Sequence, residues 1–116
     1  MKKIYHLANC TTCQAILKTF GKKAKDFELQ DIKTEAITPA QLDEMKSMAG
    51  SYEILFSRRA LKYRDLGLHE KKLSEKDYRK YILEEYTFLR RPVVIHGDQI
   101  FVGNAPSTVR CACDSM

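Results

Sequence analysis

Apolar and polar positions recur along the chain with a period that changes from segment to segment. Ile4-Tyr5-His6-Leu7 is a short β-prone run, and Thr11 to Phe20 follows with Ile16 and Phe20 one helical turn apart, which predicts a strand and then a helix. Gly21 is a stop signal for that helix. Phe27 and Leu29 alternate with Asp26, Glu28 and Gln30, the period of a half-buried second strand. Thr38-Pro39-Ala40-Gln41 supplies a capping residue, a proline at the first helical position and a glutamine three residues after the cap. It predicts a helix through Leu42, Met45 and Met48 that ends near Gly50. Arg58 to Leu66 predicts another helix, stopped by Gly67, and Ser74 caps a longer one carrying Tyr78, Ile82 and Tyr86. Past Pro92, Val93-Val94-Ile95-His96 and Gln99-Ile100-Phe101-Val102 are joined by Gly97-Asp98 and read as a hairpin. Gly103-Asn104-Ala105-Pro106 is a turn into a last short helix. The order βαβ, helices, ββ, α is that of an α/β fold.

With 116 residues and 13.4 kDa the chain is expected to form a single domain over residues 1–116, with a helical insert at approximately 38–89. Hydrophobic residues at 44% and charged residues at 30% are those of a soluble globular protein, and no apolar run approaches the ~20 residues of a membrane helix. Met1-Lys2-Lys3-Ile4-Tyr5-His6 has no signal-peptide core, so a cytoplasmic address without membrane attachment is expected. Twenty Lys+Arg against fifteen Asp+Glu give a charge of +5, but the signs are interleaved. The clusters Lys22-Lys23-Ala24-Lys25 and Lys71-Lys72 therefore read as solvated, and no direct nucleic-acid contact is expected.

Cysteine spacing changes the picture most. Cys10 pairs with Cys13 and Cys111 with Cys113, a distribution that points to redox or metal chemistry rather than a disulfide framework. Cys10 falls in the turn before the first helix, where unsatisfied N–H groups stabilise a thiolate. Cys13 follows at i+3, on the same helix face and within disulfide reach, so Cys10 attacks and Cys13 resolves in this reading. Thr11 and Thr12 are placed to cap the helix or to donate hydrogen bonds to a bound anion. A Cys₄ zinc site with Cys111 and Cys113 is the weaker reading, because C-x-C departs from the usual ligand spacing; no metal is expected. Cys111 and Cys113 are left as tail thiols that relay electrons or simply react. His6 is read as a buried or edge histidine rather than a base, His69 and His96 as surface residues, and Tyr78, Tyr81, Tyr86 and Phe88 as packing rather than a ligand platform.

Three stretches together resemble the arsenate reductase-like family of the thioredoxin fold, which includes Spx-type transcription regulators and small glutathione-linked reductases. They are Tyr5-His6-Leu7-Ala8-Asn9-Cys10-Thr11-Thr12-Cys13, Phe56-Ser57-Arg58-Arg59 through Leu66-Gly67-Leu68, and Leu89-Arg90-Arg91-Pro92-Val93-Val94. The resemblance implies a thioredoxin/glutaredoxin-like sheet with an inserted helical segment. It implies a redox Cys10 faced by Arg91 and by one of Arg58 and Arg59, with Arg59 taken as catalytic, Arg58 as substrate-binding and Arg90 as a solvent-facing neighbour. Guanidinium groups stabilise a thiolate and bind a tetrahedral oxyanion through paired hydrogen bonds. Pro92 takes the family's cis-proline position. No tightly bound cofactor is implied. Glutathione enters as a co-substrate, glutaredoxin or thioredoxin as reductants, and RNA polymerase as the partner under the Spx-type alternative. Dedicated arsenate reductases of this type carry a further arginine where this chain has Val102-Gly103-Asn104-Ala105-Pro106, so weak or absent arsenate reduction is expected. Arg110, beyond Pro106, is read as a surface residue.

Overall fold

A computed structural model describes all of residues 1–116. The elements in chain order are β1 (Lys2–His6), α1 (Thr11–Phe20), β2 (Glu28–Asp31), α2 (Pro39–Ala49), α3 (Tyr52–Leu55), α4 (Leu61–Asp65), α5 (Glu75–Glu84), β3 (Val93–His96), β4 (Gln99–Val102) and α6 (Pro106–Ser115). They divide between two compact units, Met1–Ala36 with Arg91–Met116, and Ile37–Arg90.

The first unit is built on a four-stranded sheet of order β2-β1-β3-β4. β1 and β2 are parallel, as the crossover through α1 requires, and the other pairings are antiparallel. Registered neighbours share a face, so Ile4, Val94 and Phe101 lie side by side. There they pack with Ile16 and Phe20 of α1, with Phe27, and with Val109, Ala112 and Cys113 of α6. The β3–β4 turn needs positive φ, which Gly97 supplies at 64°. This is the thioredoxin-like βαβ…ββα arrangement.

Strand β2 departs from its expected phase. Leu29 is registered beside Ile4 but belongs to the edge strand and remains 50% exposed. Gln30, on the opposite face, is 1% exposed and its Nε2 donates to the Glu35 carbonyl at 3.0 Å. A buried amide is tolerated there because it is hydrogen-bonded, and the bond orders the segment after β2. His96 is half-buried rather than at the surface: its Nδ1 lies 3.2 Å from Ser115 Oγ and its ring meets Phe27 edge-on.

In the second unit Thr38 and Ser74 form the capping boxes of α2 and α5. Helix α3 was not legible beforehand. Ser51 Oγ accepts from Ile54 N–H, and the Glu75 carboxylate accepts from the N–H groups of Tyr52 and Glu53 at 2.7 and 3.0 Å. Four residues become helical because a carboxylate from α5 satisfies their free donors. The helix expected from Arg58 to Leu66 is only Leu61–Asp65. Phe56 bridges to Leu89, and Ser57 N–H donates to the Phe88 carbonyl at 2.7 Å, so the backbone is still extended where that helix would begin. Likewise α5 stops at Glu84, and Tyr86 lies in a short 3₁₀ turn, Tyr86–Phe88, whose Thr87 N–H is capped by Glu85. The aromatic residues pack on Phe56: Phe88 stacks on it at 5.0 Å, Tyr78 lies tilted at 4.9 Å and Tyr63 edge-on at 5.9 Å.

Candidate active site

The site begins where β1 ends. Cys10 N–H donates to the Leu7 carbonyl at 3.0 Å, closing a turn over Leu7-Ala8-Asn9-Cys10. Cys10 is the N-cap of α1, with extended φ and ψ of −92° and 118°, and its carbonyl accepts the first helical bond from Gln14 N–H at 3.0 Å. Thr11 and Thr12, expected as caps, are exposed residues inside the first turn, and no side chain closes a full capping hydrogen bond. The chain leaves the turn one residue earlier than a threonine cap requires. That assigns the capping position to sulfur.

Burial acts to raise the Cys10 pKa, but stabilising contacts outweigh it and the thiol sits below its ordinary value of 9.0. They are the Cys13 backbone N–H, the Cys13 thiol, the Thr12 N–H and the positive charge of Arg91, in that order. A helix N-terminus lined with free N–H groups is a ready anion site, and here the anion is the thiolate. Cys13 is 1% exposed. Burial pushes its thiol up to about 11, backbone hydrogen bonding from Leu7 opposes this, and the neighbouring Cys10 charge adds to the rise. The two thiols are therefore split in opposite directions, and Cys10 is the first of the pair to lose its proton.

Arg91 immediately precedes Pro92, and the peptide bond between them is cis. Pro92 is buried, and its carbonyl accepts from Gly103 N–H at 2.9 Å, which brings the neutral Gly103-Asn104 segment beside the proline. Arg91 acts on both sulfurs through its charge. The structure thus brings together Cys10, Cys13 and Arg91.

Arg58 and Arg59 share a turn in the second unit. Arg58 Nη2 donates to Glu53 Oε2 at 2.8 Å and to the Tyr78 hydroxyl at 3.0 Å, and the guanidinium lies 5.8 Å from the centre of the Tyr78 ring. Arg59 is exposed. Arg90 is also exposed, with its N–H on the Leu55 carbonyl and its guanidinium 3.3 Å from the Ile54 carbonyl.

The remaining sequence candidates fall outside the site. His6 is 8% exposed, and its Nδ1 has no hydrogen-bond partner. His69 and Arg110 are exposed as expected. Cys111 is exposed while Cys113 packs on the apolar cluster, and no three Cys, His, Asp or Glu side chains are grouped to hold a metal ion. Sequence reasoning missed Gln14, Asp31 and the Leu7 backbone. Gln14 Nε2 donates to the Ala8 carbonyl at 2.7 Å, and Asp31 Oδ1 faces Ala8 N–H at 3.4 Å. Their partners are peptide groups, which leave no trace in residue patterns.

The two perturbed thiols make stability depend on pH in opposite senses. For Cys10 the lowered folded pKa stabilises the reduced protein toward and above pH 9.0, a contribution lost as pH falls through that lowered pKa. For Cys13 the raised folded pKa stabilises below pH 9.0, a contribution lost between 9.0 and about 11 because the unfolded chain ionises first. Relative to Cys13→Ala, reduced wild-type protein should lose roughly 2 to 3 kcal/mol over that window, about 1.4 per pH unit. Urea midpoints of the two proteins measured at pH 9, 10 and 11 check this; a constant difference contradicts it.

The ArsC family model matches residues 5–112. Global transcriptional regulator Spx 2 of Bacillus anthracis is 26% identical over 115 residues, covering 95% of this chain and 85% of that one. Among solved structures, the arsenate reductase from Vibrio cholerae superposes with a TM-score of 0.80 at 18% identity, over 96% of each chain. An ArsC-related protein from Brucella melitensis superposes with a TM-score of 0.73 at 22% identity, over 95% of this chain and 92% of that one. At those identities the structural likeness is one of fold. No helix is long and apolar enough to cross a membrane. With a family match over nearly its whole length, a thioredoxin-like sheet, and the cysteine pair at the start of α1 beside a cis-proline, the chain belongs to the ArsC family.

Proposed function

We propose that this protein is a thiol-disulfide oxidoreductase working through Cys10 and Cys13. The observation that carries the reading is the opposite perturbation of two adjacent thiols: Cys10 below its ordinary value at a helix N-terminus, Cys13 buried and protonated up to about 11. The Cys10 thiolate attacks one sulfur of a substrate disulfide. A Cys10–substrate bond forms, the substrate S–S bond breaks, and the departing thiolate takes a proton from water. Cys13 then loses its proton, attacks the Cys10 sulfur and expels the second substrate thiolate. The substrate has gained two electrons, and the protein holds a Cys10–Cys13 disulfide. Glutathione as co-substrate, or a glutaredoxin or thioredoxin, returns the protein to the dithiol by the same exchange, as the reducing cytoplasm permits.

Arg91 stabilises the charge on both sulfurs. In this reading Arg59 stabilises charge and Arg58 binds substrate, as the family resemblance implies; Arg58 also donates to Glu53 and Tyr78. Thr11 and Thr12, exposed beside Cys10, supply hydroxyls to an anionic substrate group.

Treating Cys13→Ser with glutathione disulfide should trap one glutathione on Cys10, identified by peptide mass. Parallel iodoacetamide rates should place the Cys10 midpoint below 9.0. An adduct on Cys111 alone, or an ordinary Cys10 midpoint, overturns the proposal. Likeness to a transcriptional regulator over 95% of the chain favours a second reading, in which the disulfide switches binding to RNA polymerase. Redox-dependent polymerase capture without catalytic turnover would select it.

A further inference from the structure

The turn that delivers Cys10 is held by two side chains that no chemical step above uses. Ala8 lies between them. Its carbonyl accepts from Gln14 Nε2 at 2.7 Å, and its N–H faces Asp31 Oδ1 at 3.4 Å, an oxygen that also accepts from Lys33 N–H at 3.2 Å. Gln14 is exposed, so this bond is not a by-product of core packing. Ordering a long exposed side chain costs rotamer entropy, and only a specific contact offsets it. The same turn carries the Cys10 sulfur to the head of α1: Leu7 accepts the Cys10 N–H at 3.0 Å, and Cys10 is the N-cap residue of the helix.

We propose that Gln14, assisted by Asp31, is a positioning residue that clamps the Ala8 peptide groups and thereby sets where the Cys10 sulfur stands against the first turn of α1. The inference rests on the thiol chemistry proposed above and deepens it. With the clamp released the fold persists, because Gln14 is exposed and lies outside the apolar cluster. The Leu7–Cys10 turn then samples other conformations, and the sulfur spends less time facing the N–H groups of Thr12 and Cys13.

Gln14→Met keeps the length of the side chain and removes its donor. The iodoacetamide midpoint of Cys10 in this variant should rise by about half a unit to one unit, a three- to tenfold loss of thiolate at pH values below the midpoint. Hydrogen exchange at the Cys10 amide should quicken. Gln14→Lys, which returns an N–H donor, should slow that exchange again, and Asp31→Ala should quicken it less than Gln14→Met because its bond is longer. A low wild-type midpoint left unmoved by Gln14→Met, with Cys10 exchange also unmoved, overturns the clamp. An ordinary midpoint already present in wild type counts against the proposed function instead, and Cys10 exchange still decides the clamp.

Discussion

Replacing Cys10 by serine is expected to abolish thiol-dependent turnover, by on the order of 10⁴-fold or more and down to assay background, while leaving the denaturation midpoint near wild type. A serine hydroxyl does not ionise near neutral pH, even opposite the N–H groups of Thr12 and Cys13, and it cannot form the mixed disulfide on which the proposed exchange depends. NADPH oxidation coupled through glutathione and glutaredoxin measures the loss; residual Cys10-independent turnover above background would show that another group carries the chemistry. With arsenate as oxidant, the wild-type protein itself should turn over feebly. A tetrahedral dianion needs several converging cationic donors, and in the segment where arsenate reductases of this type carry a further arginine this chain has Gly103, bonded to the Pro92 carbonyl, and the exposed Asn104. Missing one preorganised donor costs about 2.7 to 4 kcal/mol, or roughly 10²- to 10³-fold in rate. Robust Cys10-dependent arsenate reduction that disappears in Arg110→Ala would contradict this and identify the replacement.

Phe88→Ala is expected to cost about 3 to 5 kcal/mol in urea denaturation of the reduced protein. Phe88 is 1% exposed, stacked on Phe56 at 5.0 Å with planes 19° apart, and met edge-on by Tyr81 at 6.0 Å. Its removal leaves a cavity against Phe56, on which the aromatic cluster packs, and frees Phe56 beside the Ser57 and Leu89 backbone contacts. Domains are typically stable by only 5 to 15 kcal/mol, so a loss of this size takes a large share. Leu61→Ala is the control: Leu61 is 85% exposed, and its truncation should stay within about 0.5 kcal/mol. Equal effects of the two substitutions would show that the cluster does not hold the second unit together.

Most local signals were read correctly, the cap of α1 excepted, which falls to Cys10 rather than to Thr11 or Thr12. Helix α1 spans Thr11–Phe20 as expected, the hairpin strands are Val93–His96 and Gln99–Val102, and Thr38 and Ser74 cap through Gln41 and Asp77. Capping, turn chemistry and side-chain periodicity act over about four residues, so the residues themselves contain the answer. The start of the Arg58 helix and the end of α5 were misplaced for the converse reason. Extended backbone at Phe56 is imposed by Leu89, far along the chain, and helical propensity is too weak to compete with a tertiary hydrogen bond.

The same division runs through the site. Sequence alone determined that Cys10 and Cys13 stand at the head of a helix after a strand, because i and i+3 spacing and helix-end electrostatics are local. Only tertiary structure decided that Cys10 itself takes the cap position, that Cys13 is buried enough to hold its proton to about 11, and that Arg91 acts on both sulfurs from beside a cis-proline. Tertiary structure also turned Gln30 inward and Leu29 out, committed Arg58 to Glu53 and Tyr78, and joined Gln14 to a backbone carbonyl. Burial and charge are properties of the assembled surroundings, which gather groups tens of residues apart. A residue's type and spacing state what it is able to do; the neighbours brought by the fold select which of those things it does.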